Sequence, residues 1–244
     1  MARSLEAKDS SDLTAALAVR YQPIRRATKQ LCEPLSAEDC QVQSMDDASP
    51  AKWHLAHTSW FFETFVLERW VPGYRRFHPD FRVLFNSYYQ TVGPQHPRPQ
   101  RGLVSRPTLD EVFAYRAHVD VQIAALLEAG GAFDANVVEL GLQHEQQHQE
   151  LILTDVKHML SCNPLRPAYR DRPQPPMSET PPLRWQASAE GIQCIGHDGC
   201  GFAVDNEQPR HRVFIEAFEL ATRLVTTGEF LAFIDDGGYA RPEL

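Results

Sequence analysis

Residues 134–153, DANVVELGLQHEQQHQELIL, carry more of the reading than any other stretch of this 244-residue chain. Asp134 has the form of a helix N-cap, and the pattern behind it predicts a helix running to about Ser161. At 100° per residue Val137, Leu140, Gly141, His144, His148 and Leu151 share one stripe, which points both imidazoles toward a core. Two histidines one turn apart form a chelate, because each neutral ring gives one nitrogen to a metal ion, and Gly141 leaves space beside them. Glu150 falls on the far side of the helix.

Residues 49–70, SPAKWHLAHTSWFFETFVLERW, supply a partner. Ser49-Pro50 is a start signal with Pro at the first helical position, and it opens an aromatic-rich helix from Ala51 to Trp70 that Pro72-Gly73 stops. Trp53, His57, Trp60, Thr64 and Leu67 form its apolar face, so His57 points inward as the third candidate ligand and His54 lies at the margin. Ser11 to Leu31 reads as an earlier helix, capped by Ser11, with Leu13, Leu17, Tyr21, Ile24 and Leu31 at helical spacing. Thr108 and Glu111 have the form of a capping box for a helix to Glu128 closed by Gly130-Gly131. Phe77 to Pro107, broken by Gly93-Pro94, Pro97, Pro99 and Gly102, is a long irregular connection and a candidate site loop.

Four amphipathic helices with one long connection predict a mainly α chain whose residues 1–162 form an antiparallel four-helix bundle. Residues 163–183 hold Pro164, Pro167, Pro173, Pro175, Pro176, Pro181 and Pro182 and read as an extended linker. Residues 184–244 have α+β texture: short alternations such as Arg212-Val213-Phe214-Ile215, then a helix from Thr226 to Ile234 before Asp236-Gly237-Gly238. That is well short of the usual ~100–150 residues of a domain, so a truncated second domain is expected.

Lys and Arg total 24 against 32 Asp and Glu, a net charge of −8, which lacks the basic footprint that nucleic acid requires. No apolar leader opens the chain and no stretch offers the ~18 apolar residues of a membrane span, so the default location is cytoplasm. The five cysteines are odd in number and scattered, as reduced thiols would be. Three histidines without a carboxylate leave open coordination positions, which suits a zinc-bound water or an iron centre; ligand identity alone does not choose. His144-Glu145-x-x-His148 also fits the zincin pattern with Glu145 as base, but the Gly and third His of a metzincin do not follow.

Ala51-Lys52-Trp53-His54-Leu55-Ala56-His57-Thr58-Ser59-Trp60-Phe61-Phe62-Glu63-Thr64-Phe65 and His144-Glu145-Gln146-Gln147-His148-Gln149-Glu150 together resemble the DinB-like N-terminal domain of the ergothioneine-biosynthetic sulfoxide synthases. Asp205-Asn206-Glu207-Gln208-Pro209-Arg210-His211-Arg212-Val213, Val225-Thr226-Thr227-Gly228-Glu229-Phe230 and Gly237-Gly238-Tyr239 resemble the opening of the formylglycine-generating-enzyme-like domain that follows in that family. The resemblance implies a non-haem iron(II) oxidoreductase that uses O2 to join the sulfur of cysteine or γ-glutamylcysteine to the imidazole C2 of Nα-trimethylhistidine (hercynine), giving a sulfoxide. It implies Fe(2+) held by His57, His144 and His148. It also implies that Arg98 and Arg101 grip the carboxylate of the thiol substrate and that Gln147 lies near the trimethylhistidine. No residue of this chain takes the catalytic tyrosine role, since Tyr239 belongs to the opening of the second domain. The chain is therefore expected to be an N-terminal fragment. A zinc-dependent thiol transferase or hydrolase of the DinB-like group, or a non-catalytic metal-binding bundle, is the alternative.

Overall fold

Helix boundaries follow the caps the sequence supplies. The computed structural model describes residues 2–130, 132–171, 173 and 179–244, with side chains from residue 13 onward. The chain divides into two compact units, Met1–Arg172 and Pro173–Leu244. In the first unit α1 spans Ala2–Cys32 and α2 spans Ala51–Phe62, which continues through a π-helical turn, Glu63–Leu67, into α3, Glu68–Trp70. A single α-helical turn, α4 (Phe81–Leu84), and a 3-10 helix, Arg98–Leu103, interrupt the long connection before α5 (Leu109–Ala129) and α6 (Ala135–Cys162). Both α1 and α2 pack against α5 and α6.

At the start of α5, Thr108 accepts from the Glu111 amide while the Glu111 carboxylate accepts from the Thr108 amide, and Gly130 ends the helix with φ 59. Asp134 accepts from the Asn136 amide to open α6. Two of the expected helix starts need correction. Ser11 does not stand at the helix start, because α1 is already helical from Ala2; Leu5, Glu6, Ala7 and Lys8 ahead of it are good helix formers. Pro50 stands at the N-cap, one position before the helix begins. Gly131, Pro175 and Pro176, which the sequence reading used as breakers, lie outside the described residues.

All twelve residues of α2 are buried. A helix enclosed on every side has no margin, so the placing of His54 at the edge of an apolar face is corrected: it is 2% exposed. The stripe on α6 is also rotated from the expected one. Gly141 and His148 of that stripe are buried, but so are Val138, Leu142, Glu145, Ile152, Val156 and Met159 beside it, whereas Leu140 and Leu151 are 44% and 37% exposed. The space beside Gly141 is taken by aromatic rings: a Cβ there would stand 2.6 Å from Phe62 Cε1 and 2.9 Å from Phe61 Cε1.

The core tolerates a carboxylate on α6 because two guanidinium groups meet it. Glu145, fully buried, accepts from Arg25 Nη1 at 2.7 Å, Arg116 Nη2 at 2.7 Å and Thr28 Oγ1 at 2.6 Å. Arg25 in turn donates Nε to Asp120 at 2.6 Å, and the Tyr21 hydroxyl donates to the same oxygen at 2.9 Å. Burial alone would raise the Glu145 carboxyl, but the charges of Arg25 and Arg116 beside it reverse the shift and hold it at about 2. On α1, Leu17, Tyr21, Arg25 and Thr28 are all buried and lie along one stripe, so the arginine enters the core in phase with its apolar neighbours.

The second unit contains two antiparallel pairs. β1 (Trp185–Ser188) pairs with β4 (Phe218–Ala221), matching Trp185 to Ala221, and β2 (Gly191–Ile195) pairs with β3 (His211–Ile215), matching Cys194 to Arg212. Thr226 caps α7, Thr227–Asp235, in a second capping box with Glu229. Among the described residues, every buried hydrophobic side chain, from Leu17 to Met159, belongs to the first unit. No described helix is long and apolar enough to cross a membrane.

Candidate metal centre

α2 and α6 bring the three predicted ligands together. One nitrogen from each of His57, His144 and His148 lies within 4.8 Å of the others. Their ring centroids are 5.0 Å apart for His57 and His144, 4.8 Å for His57 and His148, and 4.5 Å for His144 and His148. Such a triad can hold a metal ion.

The surroundings fit that role. His57 Nδ1 donates to the Phe85 carbonyl at 2.6 Å, which leaves its Nε2 as the lone-pair nitrogen. Its ring is sandwiched by residues one turn either side on the same helix, with Trp53 at 4.5 Å and Trp60 at 5.4 Å, both nearly parallel. His144 Nδ1 is buried without a hydrogen-bond partner. A buried imidazole nitrogen left unpaired is costly unless something absent from the protein atoms satisfies it. His148 Nδ1 lies 2.7 Å from His54 Nδ1, and His54 Nε2 lies 3.0 Å from Asp155 Oδ2.

Burial is the largest influence on every ring in the cluster, and it favours the neutral, metal-binding form. It lowers His54 against the pull of Asp155, and lowers His144 to about 4. Burial, followed by the neighbouring imidazoles, pushes His57 and His148 well below the ordinary imidazole value. No proton has to be expelled from these rings at neutral pH before they can ligate.

The triad opens into a cavity of about 290 Å³. Arg98, Arg101 and Gln147, the candidate substrate contacts, all line it, with Gln147 exposed at the rim. Arg101 is only 4% exposed; its guanidinium carbon lies 3.4 Å from the centre of the Trp53 ring, and Ser49 and Ser87 hydroxyls accept from its Nη atoms at 2.9 and 3.2 Å. Burial, then the charge of Arg98, lowers Arg101 to about 10, so it stays a cation. Arg98 donates to the Tyr88 hydroxyl at 2.5 Å and to the Asp47 carbonyl. The Nε of each arginine is buried and lacks a partner.

Sequence reasoning missed three parts of this site. Tyr88 and Tyr89 line the cavity without belonging to any helical pattern. Ser49 and Ser87 position Arg101 from loops. The pairing of His54 with Asp155 had a usable signal, since Asp155 stands seven residues after His148 and so on the same face of α6.

Residues 20–152 match the DinB superfamily. The chain is 32% identical over 214 residues to hercynine oxygenase from Mycolicibacterium thermoresistibile, covering 83% of this chain and 45% of that protein. It is 31% identical over 232 residues to hercynine oxygenase from Mycobacterium tuberculosis, covering 92% of this chain and 52% of the relative. The chain thus spans about half the length of the relatives it matches.

Proposed function

Because the chain belongs to the DinB superfamily, we propose that its four long helices form the metal-binding bundle of a sulfoxide synthase of ergothioneine biosynthesis. The reaction joins the sulfur of cysteine or γ-glutamylcysteine to C2 of the hercynine imidazole. An S–H and a C–H bond are lost, a C–S and an S–O bond form, and the second oxygen atom of O2 leaves as water. The observation that carries this reading is the histidine triad with an unpaired buried His144 Nδ1, set in a cavity where two arginines carry unpaired Nε atoms. It is supported by the similarity to two hercynine oxygenases over most of this chain.

His57, His144 and His148 would hold Fe(2+), which supplies the redox chemistry between dioxygen and the thiol when bound. The chain's own residues do the positioning. Arg101 is fixed by Ser49, Ser87 and the Trp53 face, and together with Arg98 it offers donors suited to the carboxylate of the amino-acid thiol. Stacking on Trp53 and Trp60 keeps the His57 ring from turning. Gln147, which lines the same cavity, would lie near the imidazole substrate. Residues 1–162 are proposed as the bundle, 163–183 as a linker and 184–244 as the first part of a formylglycine-generating-enzyme-like domain. Five free cysteines suit a reducing, cytoplasmic setting.

An anaerobic Fe(II) titration of the chain beside His148→Ala tests the assignment. One equivalent bound by the parent and lost in the variant is expected. A folded parent that binds no iron, or binds zinc in its place with no capacity for Fe(II), overturns it.

A further inference from the structure

We infer that His54 and Asp155 form a positioning relay that fixes which nitrogen His148 offers to a metal ion. The inference rests on the metal-centre reading above and goes beyond it, because neither residue is a member of the triad.

Asp155 Oδ2 lies 3.0 Å from His54 Nε2 and also accepts from the Ser49 amide at 2.8 Å. A carboxylate only accepts, so the proton between these groups must sit on His54 Nε2. A neutral imidazole holds one ring proton, and His54 Nδ1 is therefore a lone pair. That lone pair faces His148 Nδ1 at 2.7 Å, a distance that makes a hydrogen bond when His148 carries its proton on Nδ1. The nitrogen left bare on His148 is then Nε2. The opposite order would set the bare Nε2 of His54 against a carboxylate oxygen, two acceptors without a proton, around a His54 side chain that is 3% exposed.

His57 reaches the same result by a shorter route, through the Phe85 carbonyl. Two ligands from two helices thus present Nε2 by independent means. Orientation of a metal-binding histidine through its other ring nitrogen is worth roughly 10–100-fold in metal affinity. His54 is a positioning residue in this scheme and touches no metal. Asp155 links the relay to the start of α2 through Ser49, so one carboxylate aligns the helix that carries His57 with the ring of His148.

Cobalt(II) is the probe, added anaerobically to the full chain and followed through its visible ligand-field bands. The parent is expected to bind one equivalent. His54→Phe keeps the ring volume and removes the acceptor; a loss of about 10–100-fold in affinity with shifted bands is expected. His54→Asn restores an acceptor oxygen at the position of Nδ1 and is expected to recover part of that loss together with the parent spectrum. Parent-like affinity and bands in His54→Phe overturn the relay while leaving the metal centre standing. No cobalt binding by the folded parent overturns the metal centre itself. Should His54→Phe fail to fold, Asp155→Ala decides: weakened binding supports the relay and unchanged binding overturns it.

Discussion

Glu145→Gln is the substitution whose cost is set most directly by the buried ion cluster. Two guanidinium groups, Arg25 and Arg116, are balanced there by Glu145 and Asp120. Removing the Glu145 charge leaves one positive charge uncompensated around side chains that are 1% exposed. The replacement amide also turns an NH2 donor toward donors, since all three groups that Glu145 meets donate to it. Breaking a buried pair on one side costs about 3–5 kcal/mol. For a unit of this size that corresponds to a fall in Tm of roughly 6–20 °C. Urea denaturation at pH 7, followed by helical circular dichroism, measures it. The folded carboxyl at about 2 lies below its ordinary value of 4.5. Its contribution is therefore present above pH 4.5 and is lost as the pH falls toward 2. The gap between parent and variant is accordingly expected to narrow in that window. A loss below about 1 kcal/mol at pH 7 would refute the idea that this charge is buried and required.

Two other outcomes follow from the same packing. Gly141→Ala gains about 1 kcal/mol of helix propensity but drives a methyl group into Phe61 and Phe62, at a cost of about 1–3 kcal/mol, so urea midpoints are expected to fall at constant m-value. Because Phe61 also lies 5.0 Å from His144, the triad is expected to bind cobalt more weakly in that variant. His144, at about 4 in the folded chain against 6.5 ordinarily, takes up a proton in the unfolded state first. Metal-free stability is therefore expected to decline as the pH falls from 6.5 to 4, by up to about 3 kcal/mol from this ring, and His144→Asn is expected to flatten that decline.

The caps at Thr108 and Asp134 were legible because each is a local exchange between a side chain and amides two or three residues on, whereas Thr226, read as the first helical residue, is in fact the cap of α7. The triad was legible because His144 and His148 repeat on one turn and because α2 carries the matching histidine. The rest of the inward side of α6 was not. Its centre is Glu145, a residue that pattern reading assigns to solvent, and what reverses the assignment is Arg116 and Arg25, 29 and 120 positions away in sequence. His54 escaped for a different reason. Where every position of a helix is buried, hydrophobic periodicity carries no phase, and only the partner across the interface tells which way a ring turns.

The π-helical turn at Glu63–Leu67 makes the long second helix a splice of two rotational frames. Ahead of it Trp53, His54 and His57 are timed to the cavity; within it Glu63, Thr64, Val66 and Leu67 are timed to the core. An extra residue in one turn is what lets a single rod keep both appointments. The loss of one residue between the frames would leave the helix intact yet swing everything beyond it by about 100°. In this segment the count of residues is as binding as their identity.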